Sequence, residues 1–324
     1  MADAICLGIL VADLIARPVD EYPRRGELTL CNQIKPFIGG CAANTGIGMQ
    51  RLGVQTGIVG QIGDDGFGDF ICDVLQENEL DARGVSRDEE ASTSATMVMV
   101  SADGERSFIH CLGANATFTA EDVDWDLIKD AKLLHIAGHF LMPSFDGQPC
   151  AGVLRKAKEM GLTTALDTAW DASGRWMETL RPTLPYIDYF VPSYSEARRC
   201  FPELGKNDSP ENVARAFQDL GVGVVALKMG EAGSYIRAGE KDNYQEYRIP
   251  PFRVRAIDAT GAGDAFAAGF LAGVMHGFDL EKTGQLANAT GACCVTAPGT
   301  VAGLRSLDDT LAFIEDQRKH GWHK

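Results

Sequence analysis

The sequence predicts an α/β protein in which a mostly parallel central sheet, flanked by helices, carries a small β-sheet lid. Short apolar runs alternate with helix-period segments along the 324 residues, which is the pattern of βαβ crossovers covering both faces of a sheet. Two stretches, 13–37 and 91–112, break that rhythm. A composition of 45% hydrophobic and 23% charged residues describes a globular chain long enough to bury a large core.

The elements follow in order. "AICLGILVA" (4–12) reads as one buried strand. Residues 13–37 are rich in proline and charge and lack helical period. "ANTGIGMQRLG" is a helix stopped by Gly53, "TGIVGQIG" a strand and "FGDFICDVLQENEL" an amphipathic helix. Within 91–112, "TSATMVMVSADGERSFIHC" has a period of two around an Asp103-Gly104 turn, which predicts a hairpin. Alternation resumes in "KLLHIAG", "CAGVLRKAKEMG", "TTALDT", "DYFVPS", "SPENVARAFQDLG" and "VGVVALKMG". The expected division is a large domain of 1–12, 38–90 and 113–324 and a lid of 13–37 and 91–112.

A net charge of -15 opposes general binding to nucleic acid or to an anionic membrane. Any phosphate must be held by local devices. Nine cysteines without a C-x-x-C pair read as reduced thiols of a cytoplasmic protein, with Cys293 and Cys294 as core residues. Asp3 stands where a signal peptide would be basic, and no apolar run reaches the roughly 18 residues of a membrane span. His135 and His139 lie on a strand without a third ligand, so no zinc site is expected.

The stretch "DATGAGDAFAAGF" (258–270) carries the chemistry. No lysine follows its glycines as in a P-loop, and the first strand lacks G-x-G-x-x-G. Gly261, Ala262 and Gly263 have no bulky side chains, so their amides can converge where a helix begins and form an anion hole. A carboxylate at that point, Asp264, would repel the anion unless it had a task. Accepting the proton of an alcohol that attacks the held phosphoryl group is such a task.

This stretch resembles the C-terminal signature of the ribokinase-like, PfkB-type carbohydrate kinases, and "GGCAANTGIGMQRLGVQTGIVGQIGDDGFG" (39–68) resembles their N-terminal signature. The resemblance implies a ribokinase-like fold and ATP-dependent phosphorylation of a primary alcohol on a sugar or sugar-like molecule, with Mg²⁺. It makes Asp264 the base and the Ala262 and Gly263 amides the anion hole. It assigns the sugar to Asp13, Gly39, Gly40 and Asn44, and this fits the chemistry, because a carboxylate accepts two hydroxyl hydrogen bonds and an amide both donates and accepts. Arg106 in the hairpin and His139 at a strand end are further substrate candidates.

For the nucleotide, "VPSYSEARRC" falls where the family has N-x-x-E. Ser193 replaces the asparagine and Glu196 remains to organise Mg²⁺ indirectly. Lys228, Gly230 and Gly233 are expected near the nucleotide, with Lys228 either offsetting phosphate charge or solvated at a strand end, and Asn288 is expected beside the adenine. Asp258 and Thr260 resemble a loop that shapes a monovalent-cation (K⁺) site in some members. The expected partner is a sugar or nucleoside, with a homodimer formed through exposed lid edges. Two alternatives remain. A nucleoside kinase would need a shelf such as Phe108, Phe140 or Phe145, and a catalytically silent sugar sensor is opposed by the intact Asp13, Asn44, Gly261, Gly263 and Asp264.

Overall fold

A computed structural model describes residues 2–240 and 243–321. Its strands are β1 (Ala4–Gly8), β2 (Val11–Arg17), β3 (Gln33–Gly39), β4 (Thr56–Gly63), β5 (Asp81–Asp88), β6 (Ala95–Val100) and β7 (Arg106–Cys111). The chain continues through β8 (Leu133–His139), β9 (Thr163–Thr168), β10 (Tyr189–Phe190), β11 (Val224–Lys228), β12 (Ser234–Glu240) and β13 (Asn243–Ile249). Nine of them form one sheet in the order β13-β12-β11-β10-β9-β8-β1-β4-β5, and the other four form a separate sheet, β3-β2-β6-β7.

From β11 to β5 the large sheet is parallel. The β12–β13 hairpin, which the apolar pattern does not announce, extends it with antiparallel pairing. Strand β1 shows why both faces must be covered. Ala4 and Cys6 point into one buried cluster, shared with Phe266, Phe270 and Leu271 of the helix Ala262–Met275. Ile5 and Leu7 point into the other, shared with Leu154 of the helix Gln148–Glu159 and Phe217 of the helix Pro210–Gln218. Each fully buried Leu, Ile or Phe contributes about 1.5–3 kcal/mol, so a strand without polar residues takes an interior place in the sheet, between β8 and β4.

The single strand expected over 4–12 is two strands in two sheets. The chain leaves the large sheet after Gly8, and the Asn115 side chain satisfies both backbone groups of Leu10 at the crossing, at 3.2 and 3.0 Å. Periodicity cannot show this break, because the run stays apolar while the partner strand changes. The small sheet begins at Val11 and includes Gly39, so the expected lid boundaries at 13 and 37 fall inside its strands.

Register fixes the two faces of the small sheet. Asp13 lies beside Phe37 and Thr96, and Thr96 beside His110. One face therefore carries Asp13, Phe37, Thr96, Phe108 and Arg106, because side chains alternate along each strand. The opposite face carries Pro36, Leu14, Met97 and Ile109 in one row across all four strands. Among the described residues no helix is long and apolar enough to cross a membrane.

Candidate active site

The carboxyl ends of β9, β10 and β11 open toward one cleft, where ligands sit in sheets of this kind. The cleft holds about 770 Å³, a volume suited to a small-molecule ligand. Its lining falls into two groups. Asp167, Glu196, Lys228 and Asp264 are ionisable, whereas Phe252, Val254, Ala292 and Val295 are apolar. A polyanion with a flat apolar base matches that division.

Gly261 caps the helix that follows with φ 76°, a left-handed conformation that glycine adopts without strain. A Cβ there would lie 2.8 Å from Thr300. The helix Ala262–Met275 starts at once, with Asp264 in its first turn. The Ala262 amide turns back to the Ala259 carbonyl at 3.3 Å, a long bond that draws it away from the expected anion hole. Gly263 is the better placed donor, since the first amides of a helix have no intrahelical acceptor.

Asn44, in the helix Cys41–Arg51, donates from Nδ2 to Asp264 Oδ2 at 2.8 Å. Its own Oδ1 is buried without a protein partner. Thus the asparagine expected at the sugar also fixes the carboxylate. Gly39 leaves room for the Asp13 carboxylate, since a Cβ on it would lie 2.3 Å from Asp13 Oδ2 and push that side chain aside. Gly40 has φ 88° and leaves no room for a Cβ, which would meet the Ile9 carbonyl oxygen at 2.4 Å. Burial pushes the Asp13 carboxyl up to about 6; the Thr96 hydroxyl works against this and the Asp264 charge adds to it.

Lys228 is not a solvated strand-end lysine. Its ammonium donates to both oxygens of Asp167, at 2.6 and 2.8 Å, and the side chains are 12% and 1% exposed. It lies 3.5 Å from where a Cβ of Gly263 would be, directly under the helix start. Burial opposes its charge, but the carboxylates of Asp167, Glu196 and Asp264 more than restore it and hold its pKa above 10.5. Sequence reasoning missed Asp167. The available signal was an acid at the carboxyl end of the buried strand "TTALDT".

Ser193 and Glu196 form a reciprocal helix cap, with Ser193 Oγ accepting from the Glu196 amide at 3.2 Å and Glu196 Oε2 from the Ser193 amide at 3.3 Å. Glu196 Oε2 also accepts from Thr168 Oγ1 at 3.0 Å. Both residues line the cleft, Ser193 chiefly as a structural cap. Gly230 and Gly233 make the turn after β11, at φ 57° and 83°, and line the cleft as well. The Asn288 amide secures the Ile249 and Pro250 carbonyls at 3.0 Å on the apolar side.

Two expected substrate contacts are displaced. His139 is fully buried and faces the Asp146 carboxylate at 2.9 Å, so its imidazole belongs to the interior beneath the strand end. Arg106 reaches Asp258 Oδ1 at 3.1 Å and also donates to Thr260 Oγ1. The guanidinium therefore engages the oxygens expected to hold a monovalent cation, and K⁺ does not fit there. Phe145 is likewise buried against Phe118 and offers no shelf, whereas Phe108 is 58% exposed on the Asp13 face.

Several known proteins resemble this chain along nearly all of its length. The ATP-dependent 6-phosphofructokinase of Thermoanaerobacterium thermosaccharolyticum is 27% identical over 98% of this chain and 95% of its own length. The 2-dehydro-3-deoxygluconokinase of Bacillus subtilis is 26% identical over 98% and 96%. An E. coli chain described as a ribokinase II, solved with ATP and Mg²⁺, superposes with a TM-score of 0.83 at 25% identity, covering 98% of this chain and all of that one. The model of pfkB family carbohydrate kinases matches residues 1–307, and the chain belongs to that family of sugar kinases, phosphotransferases whose acceptor is an alcohol group.

Proposed function

We propose that this kinase phosphorylates a primary hydroxyl of a neutral sugar, with Asp264 as general base and the helix start that follows Gly261, chiefly the Gly263 amide, as the anion hole. The observation that carries the reading is the meeting of the Asp264 carboxylate, held by Asn44, with the Gly263 amide and the Lys228 ammonium. The amide and ammonium draw charge from the phosphoryl oxygens. Asp264 takes the hydroxyl proton, and Asp13 accepts the sugar's other hydroxyls from the lid. Such a reaction runs mostly on positioning and electrostatics.

Three carboxylates, Asp167, Glu196 and Asp264, surround one ammonium. That donor set leaves negative charge for Mg²⁺ to offset, and Glu196 is the side chain that would meet the ion through water. When bound, Mg²⁺ would neutralise charge on the ATP phosphates, while Phe252, Val254 and Val295 accommodate the adenine.

The test is Asp264→Asn. Asn44 can still donate to the new side-chain carbonyl, so the loop keeps its shape. Loss of general-base assistance lowers kcat by about 10²–10⁴, with ATP binding no weaker. Near-wild-type kcat in the folded variant refutes the assignment.

The neutral acceptor is inferred from Arg106, whose charge is committed to Asp258. Lys35, on the same lid face, is exposed farther out. Phe108 offers a flat surface for a sugar face, or for a base should the acceptor be a nucleoside. Ribose, fructose, 2-dehydro-3-deoxygluconate, fructose 6-phosphate and adenosine are compared by ADP release and by thermal shift with a non-hydrolysable ATP analogue. A true acceptor at about 100 times its Kd adds about 2.7 kcal/mol. Preference for the acid or phosphorylated sugar overturns neutrality.

We also propose that the chain forms a homodimer through the outer lid face. Ile34, Met97 and Ile109 are 64%, 53% and 60% exposed there, and an apolar sheet face of this kind calls for a partner.

A further inference from the structure

The loop in front of the catalytic helix is organised around one carboxylate. Asp258 Oδ1 accepts from the Thr260 amide at 2.9 Å, the Thr260 hydroxyl at 2.6 Å and Arg106 Nη1 at 3.1 Å. Its Oδ2 accepts from the Gly299 amide at 3.0 Å. Three of these donors come from the large domain, and the fourth comes from β7 of the small sheet. Burial works against the Asp258 charge, and these neighbours hold its carboxyl below the ordinary 3.8.

The same junction is closed from a second direction. Thr300 Oγ1 donates to the Ile38 carbonyl of β3 at 2.7 Å, and a Cβ on Gly299 would lie 2.9 Å from the Phe37 ring. Gly261 packs on Thr300 in turn. The small sheet thus bears on the anion-hole loop through side chains on two strands, and Arg106 supplies the cation among these contacts. A guanidinium here does electrostatically what a bound monovalent ion would do: it neutralises Asp258 and holds the loop that aims the Gly263 amide.

We propose that Arg106 is a positioning residue that serves as the built-in cation of the anion-hole loop, so that phosphoryl transfer needs no monovalent metal ion and depends on the lid being in place. This rests on the anion-hole reading above. Because the guanidinium is part of the lid, lid closure and the shape of the phosphoryl site are one event. A diffusible ion would leave the two independent.

The experiment compares wild type, Arg106→Ala and Arg106→Lys in potassium, sodium and tetramethylammonium salts of equal strength. ADP release is measured with fructose, or with the member of the acceptor panel that is turned over, and the melting temperature is measured with the ATP analogue. Wild type is expected to have the same kcat and melting temperature in all three salts. Arg106→Ala is expected to lose at least about tenfold in kcat, since a small misplacement of a reacting group costs on the order of 10²-fold, with little change in acceptor KM. Guanidinium ion restores part of the rate, and potassium raises the melting temperature of this variant alone. Arg106→Lys retains part of the activity.

A several-fold activation or stabilisation of wild type by potassium overturns the proposal. So does an Arg106→Ala variant with unchanged kcat and a raised acceptor KM, which would make Arg106 a sugar contact. Failure of the underlying proposed function looks different, because Asp264→Asn would then remain active whatever Arg106 does.

Discussion

Replacing Asp13 with asparagine should make the ligand-free protein more stable while crippling its binding of the acceptor. The folded state lifts this carboxyl from 3.8 to about 6, chiefly through burial and partly through the Asp264 charge. At about 1.36 kcal/mol per pH unit, that difference is about 3 kcal/mol against the ionised form. Asp13 is only half-buried, so solvent screening brings the expected effect to about 1–2 kcal/mol. The sign follows from linkage. Because the folded pKa is raised, the wild type has its full stability below pH 3.8 and loses this increment as pH rises through about 6.

Asparagine does not titrate, so the advantage of Asp13→Asn over wild type should be small near pH 4.5 and complete by pH 8. Urea midpoints across that range measure it directly. Acceptor kcat/KM in wild type should fall below about pH 6, as the hydroxyl-accepting carboxylate is protonated, and the variant should be poor at every pH. Equal stability of the two proteins at pH 8, or a pH-independent difference, would refute the reasoning. A destabilising carboxylate at the proposed sugar contact is the kind of trade expected of a functional group.

Lys228→Met strands a buried Asp167 carboxylate, and breaking one side of a buried pair costs about 3–5 kcal/mol. The loss should shrink at acid pH, because burial already raises Asp167 to about 7 and without the lysine it is protonated still more readily. The double variant Asp167→Asn/Lys228→Met should recover stability but not kcat/KM for ATP, and a single variant as stable as wild type in urea unfolding would refute the pair. Met97→Lys places a charge in the outer lid row and should convert the dimer to monomer by sedimentation, with the melting temperature falling as dimer dissociates. A wild type that sediments as a monomer at assay concentrations refutes the dimer.

The fold was legible where burial and period coincide. Runs such as "TGIVGQIG" and "KLLHIAG" have no polar face, and a strand without one can only lie inside a sheet covered on both sides. The hairpin around Gly104 was legible for the converse reason, since alternating side chains belong to a sheet with two different faces. Less legible were events that involve pairing partners alone. The break at Ile9 and Leu10 depends on Asn115, 105 residues away, and the β12–β13 hairpin has an exposed final strand whose polarity hides it.

The same division separates what the sequence revealed of the site from what it concealed. Gly39, Gly40 and Gly261 could be read because each occupies a place where a Cβ has no room, a local demand that leaves a local mark. Asp264 stood out because an acid at a glycine-rich helix start is a contradiction that needs a reason, and the base role is the reason proposed above. Asp167 and the true place of Arg106 could not, since their meaning lies in partners 61 and 152 residues distant. A lysine at a strand end and an arginine in a hairpin look alike whether they are solvated, bind a ligand or pair with a carboxylate. Electrostatics decides between these states only when the opposite charge is known. In a fold this rich in carboxylates each of the two cations is claimed by one, Lys228 by Asp167 at the end of β9 and Arg106 by Asp258 in the loop before the helix Ala262–Met275.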